Sequence, residues 1–420
     1  MTDKPIDLDP IQQEAVRLYC EEPFGIITGG PGTGKTTCLR AGLAEAQRRA
    51  IESKRPFVTT NFCAPTGKAA CRLRDSVGQH ATTLHRMLGL GFNTDDAFMS
   101  GGRIVADHVV VDEVSMVDTA LMYRLVNAID RRYTRLTLVG DKNQLPSVGP
   151  GQVLADMLGC GRVPTVELKT LHRAAQESWV CRNAPRILAG DIDSIDMQAP
   201  DFRFVSAKAG ELLDAIVEVY EEELNELGEQ YGYTSQDDLL DHSQIIVPQR
   251  VGTVGADNIN LKLQKAVQGD AAVKAGGWKI AEHNFLDGDK VIQTKNDYTA
   301  NVMNGETGII RGSVDNGKRL VIRVDENERR LERTQTVTWA LGYAITIHKS
   351  QGSQWPLTIV ICHSAHSRML SRRLFYTAVT RSSGKVVLIG DDQGFEKAVT
   401  NDAQLERRTQ LSKLLSVSPS

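Results

Sequence analysis

A chain of 420 residues, 41% hydrophobic and 24% charged, is long enough for about two to three domains and apolar enough to fold around a core, which excludes disorder as its overall state. Its 49 Lys+Arg nearly balance 52 Asp+Glu, so a net charge of -3 gives no sign of a nucleic-acid partner. Seven scattered cysteines without a C-x-x-C pair exclude a disulfide framework and a zinc site and fit a reducing cytoplasm, while the absence of any run of ~18 apolar residues excludes membrane spanning. The charged first ten residues argue against secretion.

Along the chain, short β-rich apolar runs recur at 25–28, 57–64, 108–111, 136–139, 244–247, 358–361 and 385–389. Helix-length segments separate most of them, the pattern of parallel sheets with crossover helices. Two α/β domains in tandem are expected, 1–164 and 165–420, divided where Gly and Pro interrupt the pattern at 159–164. Residues 89–102, rich in Gly, Asn, Asp and Ser, form an excursion from the first domain. Segment 211–230 spaces its apolar residues as an amphipathic helix with acids between them. Three short strands at 308–310, 320–324 and 335–339, divided by Asp-Asn-Gly and Asp-Glu-Asn turns, make a small β insertion at about 297–337.

The run Gly29, Gly30, Pro31, Gly32, Thr33, Gly34, Lys35, Thr36 satisfies G-x-x-x-x-G-K-[ST] between a strand and a helix, the context this phosphate-binding loop requires. Its backbone N–H groups and the helix N-terminus, with Thr37 in the first turn, cradle phosphates. Lys35 reaches the β/γ-phosphates and Thr36 ligates Mg²⁺. Asp112 and Glu113, directly after the strand at 108–111, supply the second metal carboxylate and a base for the attacking water. Gln144, in the polar loop after the strand at 136–139, is a neutral amide suited to sensing the γ-phosphate. The product is an NTP hydrolase.

These motifs, in this order, resemble the motor core of superfamily 1 DNA helicases. Segments 343–353 (YAITIHKSQGS) and 376–381 (YTAVTR) look like that family's last two motifs, and 288–293 with 304–308 is similar to its RecD-like branch, to which the phage Dda helicase is also related. The resemblance spans about 8–390 and implies two tandem RecA-like P-loop domains with parallel sheets, the insertion at 297–337 being SH3-like. It further implies an ATP- and Mg²⁺-dependent, monomeric 5′→3′ motor on single-stranded and fork DNA, with a replication or recombination protein as a possible partner. A DNA- and ATP-binding subunit of a RecD-type recombination nuclease complex is the alternative.

Position by position, the resemblance implies that Gln12, or alternatively Gln13, reads adenine. It implies that Arg173 and Arg381 reach the γ-phosphate from the second domain, which is worth ~10³–10⁵ in rate for such arginines. For DNA, the resemblance points to Pro65, Thr66, Gly67, Lys68, His85, Thr346, His348, Lys349 and Ser350, with hydroxyls, imidazoles and amines suited to phosphate and sugar rather than base edges; a hydrogen-bonded packing role is the alternative for His85. The resemblance puts that family's pin in the excursion, as a pin-like insertion at about 88–106, with Phe92 or Phe98 stacking as the wedge; a local core anchor is the alternative for either. Gln354 stands where relatives carry a Glu that binds nucleotide, and Ala174 where a Gln commonly follows the arginine. Residues 211–241 carry eleven acids and no Lys or Arg, leaving +8 on the rest. That acidic stretch is expected to face away from the DNA track.

Overall fold

A computed structural model describes residues 7–56, 58–90, 103–280, 283–297, 299–300, 302–315, 317–325, 327–403 and 407–416. Most of the excursion, with Phe92 and Phe98, lies outside them. The chain forms two compact units: Met1–Glu177 with Leu405–Ser420, and Ser178–Gln404.

Unit 1 is built on six strands: β1 (Phe24–Gly29), β2 (Thr60–Ala64), β3 (Ala81–Thr83), β4 (His108–Val111), β5 (Arg135–Gly140) and β6 (Thr165–Leu168). They pair in parallel in the order β3-β2-β4-β5-β1-β6. The central strands are apolar without alternation because both faces are covered. Ile26, Val109, Val111 and Leu138 pack on one side with the helices Thr119–Ala128 and Val153–Gly159. Their neighbours Ile27, Val110 and Val139 pack on the other with helices Pro10–Glu21 and Lys35–Glu52.

The division expected after residue 164 is corrected here. The Gly/Pro interruption at 159–164 is only the turn between helix Val153–Gly159 and β6, which pairs with β1 inside unit 1. The last described segment, 407–416, also belongs to unit 1, where Leu411 and Leu415 pack against its core.

Unit 2 runs through β7 (Gln198–Ala199), β8 (Phe202–Ser206), β9 (Ser243–Val247), β10 (Trp278–Ile280), β11 (His283–Phe285), β12 (Lys290–Gln293), β13 (Thr307–Val314), β14 (Arg319–Val324), β15 (Asn327–Glu332), β16 (Trp339–Leu341), β17 (Ala344–Thr346), β18 (Trp355–Cys362) and β19 (Ser382–Gly390). One sheet has the order β17-β9-β18-β19-β8-β7, parallel except at β7. A second, antiparallel sheet has the order β15-β14-β13-β12-β16.

The β insertion is therefore wider than 297–337. Residues 335–339, expected as a strand, divide between the end of helix Arg333–Thr336 and the start of β16; the third hairpin strand is β15. The turn expectation holds better: Asp315 and Asp325 have φ of 55° and 51° at the two hairpins. The two sheets share one continuous core, with Ile245 and Ile359 in the same cluster as Ile309 and Trp339. Buried ions tie them: Asp289 accepts from Leu286 N, Gln264 and Tyr343, and Lys290 Nζ donates to Leu240 O and Ser243 O.

The acidic stretch folds as helices Leu212–Tyr231 and Gln236–Asp241. Its carboxylates are spent on bases elsewhere in unit 2: Glu222 and Glu223 with Arg203, Glu223 and Glu226 with Lys385, Asp237 with Arg311, and Asp241 with Arg323. The longer helix lays Ile216, Tyr220 and Leu227 into the core alongside Ile359 and Val387. No helix among the described residues is long and apolar enough to cross a membrane.

Candidate nucleotide site and nucleic-acid-facing segments

In a parallel sheet the strands' C-terminal ends share one edge, so residues just after β4, β5 and β1 are neighbours although far apart in sequence. β1 delivers the glycine loop. Gly32 and Gly34 have φ of 70° and 85°, a region side chains other than glycine rarely enter. A Cβ on Gly34 would stand 2.3 Å from Gln12 Nε2, and one on Gly29 2.6 Å from Thr33 Oγ1 and 2.8 Å from Leu168 O.

Helix Lys35–Glu52 has no side-chain cap, which leaves its first N–H groups available to an anion. Lys35 Nζ donates to Gly29 O (2.7 Å) and Gly30 O (2.9 Å), an ammonium held over the loop where a phosphate would sit. Thr36 and Thr37 follow in the first turn, both partly exposed.

β4 ends in a crowded setting. Burial, and secondly the neighbouring Glu113 carboxylate, push the Asp112 carboxyl up to about 6, against a smaller opposing pull from Lys35. The Glu113 N–H donates to Asp112 Oδ1 at 2.8 Å. Glu113 itself has φ 52°, a strained conformation for a non-glycine residue that turns the chain sharply between the two carboxylates. After β5, Gln144 is buried, and its Oε1 has no hydrogen-bond partner among the described residues.

These features fit a magnesium nucleotide. Thr36 hydroxyl and Asp112 carboxylate are the hard oxygen donors Mg²⁺ takes, and an unsatisfied buried amide awaits a partner.

Gln12 and Gln13 are placed differently. Asp9 caps helix Pro10–Glu21 and forms a capping box with Gln12, whose Nε2 also donates to His172 Nε2 at 2.6 Å. Gln12 is buried beside the loop, whereas Gln13 is exposed and donates to Leu8 O.

At the outer strands of the same sheet edge, Ala64 ends β2 and Thr83 ends β3. Thr66 caps helix Gly67–Val77 through Ala69 N, with Pro65 and Lys68 partly exposed and Gly67 buried. His85 follows Thr83, half-buried, and burial lowers its pKa.

In unit 2, a cavity of about 420 Å³ lies where β17 meets the antiparallel sheet. Its lining includes Arg250, His283, Lys295, Trp339, Thr346 and Lys349. Burial, and secondly the Arg250 cation, lower the Lys349 pKa. His348 is exposed. Ser350, expected to face DNA, is instead fully buried and donates to Ile347 O, because the short helix Ile347–Ser350 turns it inward. Arg381 is buried in unit 2, donating to Thr377 O and Ser353 O, and Gln354 Nε2 donates to Thr380 O nearby.

Residues 7–205 match an AAA domain, 259–325 the ATP-dependent RecD-like DNA helicase SH3 domain and 341–389 the UvrD-like helicase C-terminal domain. Over 96% of its length the chain is 34% identical to the RecBCD enzyme subunit RecD of Mycolicibacterium smegmatis, of which it covers 74%. The chain belongs to the RecD family of superfamily 1 helicases.

A second RecD relative, the ATP-dependent RecD2 DNA helicase of Deinococcus radiodurans, is 33% identical over 91% of the chain, which spans 50% of that protein. The RecD-type fold is shared with solved Pif1 helicases. One, from Bacteroides in complex with ADP-AlF3 and ssDNA, has a TM-score of 0.51 at 17% identity, covering 94% of each chain. Another, from work on two coordinating Pif1 helicases at forked dsDNA, has a TM-score of 0.52 at 18% identity, covering 91% of this chain and 92% of that one.

Two features of this RecD-family site differ from expectation. Arg173, expected from the second domain, belongs to unit 1, since helix Arg173–Glu177 follows β6 directly. His172 was not singled out, yet its N–H donates to Gly32 O at 3.4 Å and its ring approaches both Gln12 and the open side of Gly34. The only sequence signal for it was its place beside Arg173.

Proposed function

We propose that this RecD-family chain is an ATP-dependent DNA helicase that moves 5′→3′ on single-stranded DNA and unwinds duplex, working as a monomer. The observation that carries the reading is the convergence of Lys35, Asp112, Glu113 and Gln144 on the C-terminal ends of three adjacent strands, β1, β4 and β5. Bound Mg²⁺, held by Thr36 and Asp112, supplies charge neutralisation at the phosphates. Lys35 exchanges its two loop carbonyls for β/γ-phosphate oxygens. Glu113 orients a water and takes its proton. Gln144 turns its free amide oxygen and its N–H donors toward the water and γ-phosphate, and Arg173 and Arg381 neutralise charge as it develops. Gln12, steadied by Asp9 and His172, reads the base.

The DNA-facing set then comprises Pro65, Thr66, Gly67, Lys68 and His85 in unit 1 and Thr346, His348 and Lys349 in unit 2, with the Arg250–Lys295 cavity added. These groups grip backbone without reading sequence. If Lys349 neutralises one phosphate, Lys349→Ala lowers the slope of log K against log salt for oligo(dT) by about 0.7. Anisotropy titrations from low to moderate salt measure it, and an unchanged slope removes Lys349 from the track.

Polarity is tested by unwinding partial duplexes carrying either a 5′ or a 3′ overhang. A strong preference for the 5′ overhang is expected; preference for the 3′ overhang overturns the direction. A second reading, a motor subunit within a larger recombination complex, is favoured by the M. smegmatis relative. Gel filtration with an ATPase assay of the isolated chain separates the two, since a subunit dependent on its partners lacks DNA-stimulated turnover alone.

A further inference from the structure

The loop leaving Gln144 has no regular structure of its own, and its course is set by what grips it. On one side it lies against the start of helix Thr119–Ala128: a Cβ on Gly149 would stand 2.0 Å from Asp118 Oδ2, one on Gly151 (φ 95°) 2.0 Å from Thr119 Oγ1, and Thr119 N donates to Pro150 O. On the other side it is gripped by a residue from the far end of the chain. Arg407 donates one guanidinium nitrogen to Gly149 O (2.8 Å) and Gly151 O (2.7 Å), with Ser147 Oγ at 3.5 Å. Two residues on, Thr409 Oγ1 donates to the buried Asp156 at 2.7 Å, which fixes the segment carrying Arg407.

We propose that Arg407 is a positioning residue for Gln144. Among the described residues the Gln144 Oε1 has no hydrogen-bond partner, and Arg407 turns two carbonyls of the loop that follows Gln144 to one fixed point. A charge-assisted bond to two carbonyls is stronger than a neutral one and directional. The inference rests on the reading of Gln144 as the γ-phosphate sensor.

The test is steady-state ATP hydrolysis by the full chain with saturating oligo(dT). Arg407→Ala is expected to lower kcat about 10- to 100-fold, the scale of a slight misplacement at a reacting centre, with KM for ATP nearly unchanged. Arg407→Lys, which keeps a donor, recovers part of the loss. In a Gln144→Ala background, Arg407→Ala adds no further loss, because the two act through one contact.

A fully additive double variant, or a folded Arg407→Ala protein with parental kcat beside a slow Gln144→Ala, overturns this inference alone. Parental kcat in Gln144→Ala overturns the sensor reading instead. Should Arg407→Ala fail to fold, Arg407→Lys carries the same comparison with an intermediate loss expected.

Discussion

Lys35→Ala is expected to reduce ATP hydrolysis by about 10³-fold or more, the scale of losing a preorganised charge at phosphates undergoing transfer. The side chain has two duties that fail together. Its ammonium holds the loop by donating to Gly29 O and Gly30 O, and bonds of that kind to a charged group are each worth about 1.5–3 kcal/mol. In the proposed mechanism the same charge moves onto the β/γ-phosphates. Phosphate release with and without oligo(dT) measures the effect. Binding of single-stranded DNA without nucleotide should survive, because the unit 1 segments proposed for it follow β2 and β3 rather than β1. Hydrolysis at the parental rate would place the nucleotide elsewhere.

Glu113→Gln should lower kcat by about 10²–10⁴, the usual worth of a positioned general base, while ATP and DNA binding stay near parental. Glutamine keeps the volume of the side chain and leaves the backbone N–H to donate to Asp112, so the local turn at φ 52° is preserved and only basicity is lost. Unwinding should fall with hydrolysis. A variant that turns over normally removes Glu113 from the chemistry and leaves its strained backbone with a structural role only.

What was legible in the sequence was what local pattern encodes. The P-loop announced itself because a tight anion-binding turn needs glycines at set places, and β4 and β5 because strands covered on both faces are continuously apolar. β3 was missed: Ala81-Thr82-Thr83 is three residues at a sheet edge with no apolar signature. β6 was missed because Gly159 to Pro164 looks like a linker when the pairing of β6 with β1 is invisible. The strand at 335–339 was misjudged because Val337 and Trp339 alternate with polar residues as a strand's do, while Glu332 and Gln335 form a capping box that starts a helical turn. Ser350 shows the limit of residue type as evidence, since a hydroxyl in a DNA-facing motif can be spent on its own helix. The acidic stretch was seen as a charge mask; its pairing with Arg203, Arg311, Arg323 and Lys385 needed tertiary proximity.

Unit 1 is closed by residues that follow all of unit 2, and their hydrogen bonds to the Gln144 loop and to Asp156 span 253 to 260 positions. As a growing chain leaves the ribosome, the first unit therefore emerges without its last piece, and an apolar groove beside Phe24, Met122, Leu136 and Met157, where Leu411 and Leu415 later lie, stays uncovered while unit 2 is made. At about 5–20 residues per second that interval is roughly 10–50 s, long enough for a chaperone to engage the exposed face. The order of synthesis thus leaves the loop that follows Gln144 to be tied down last.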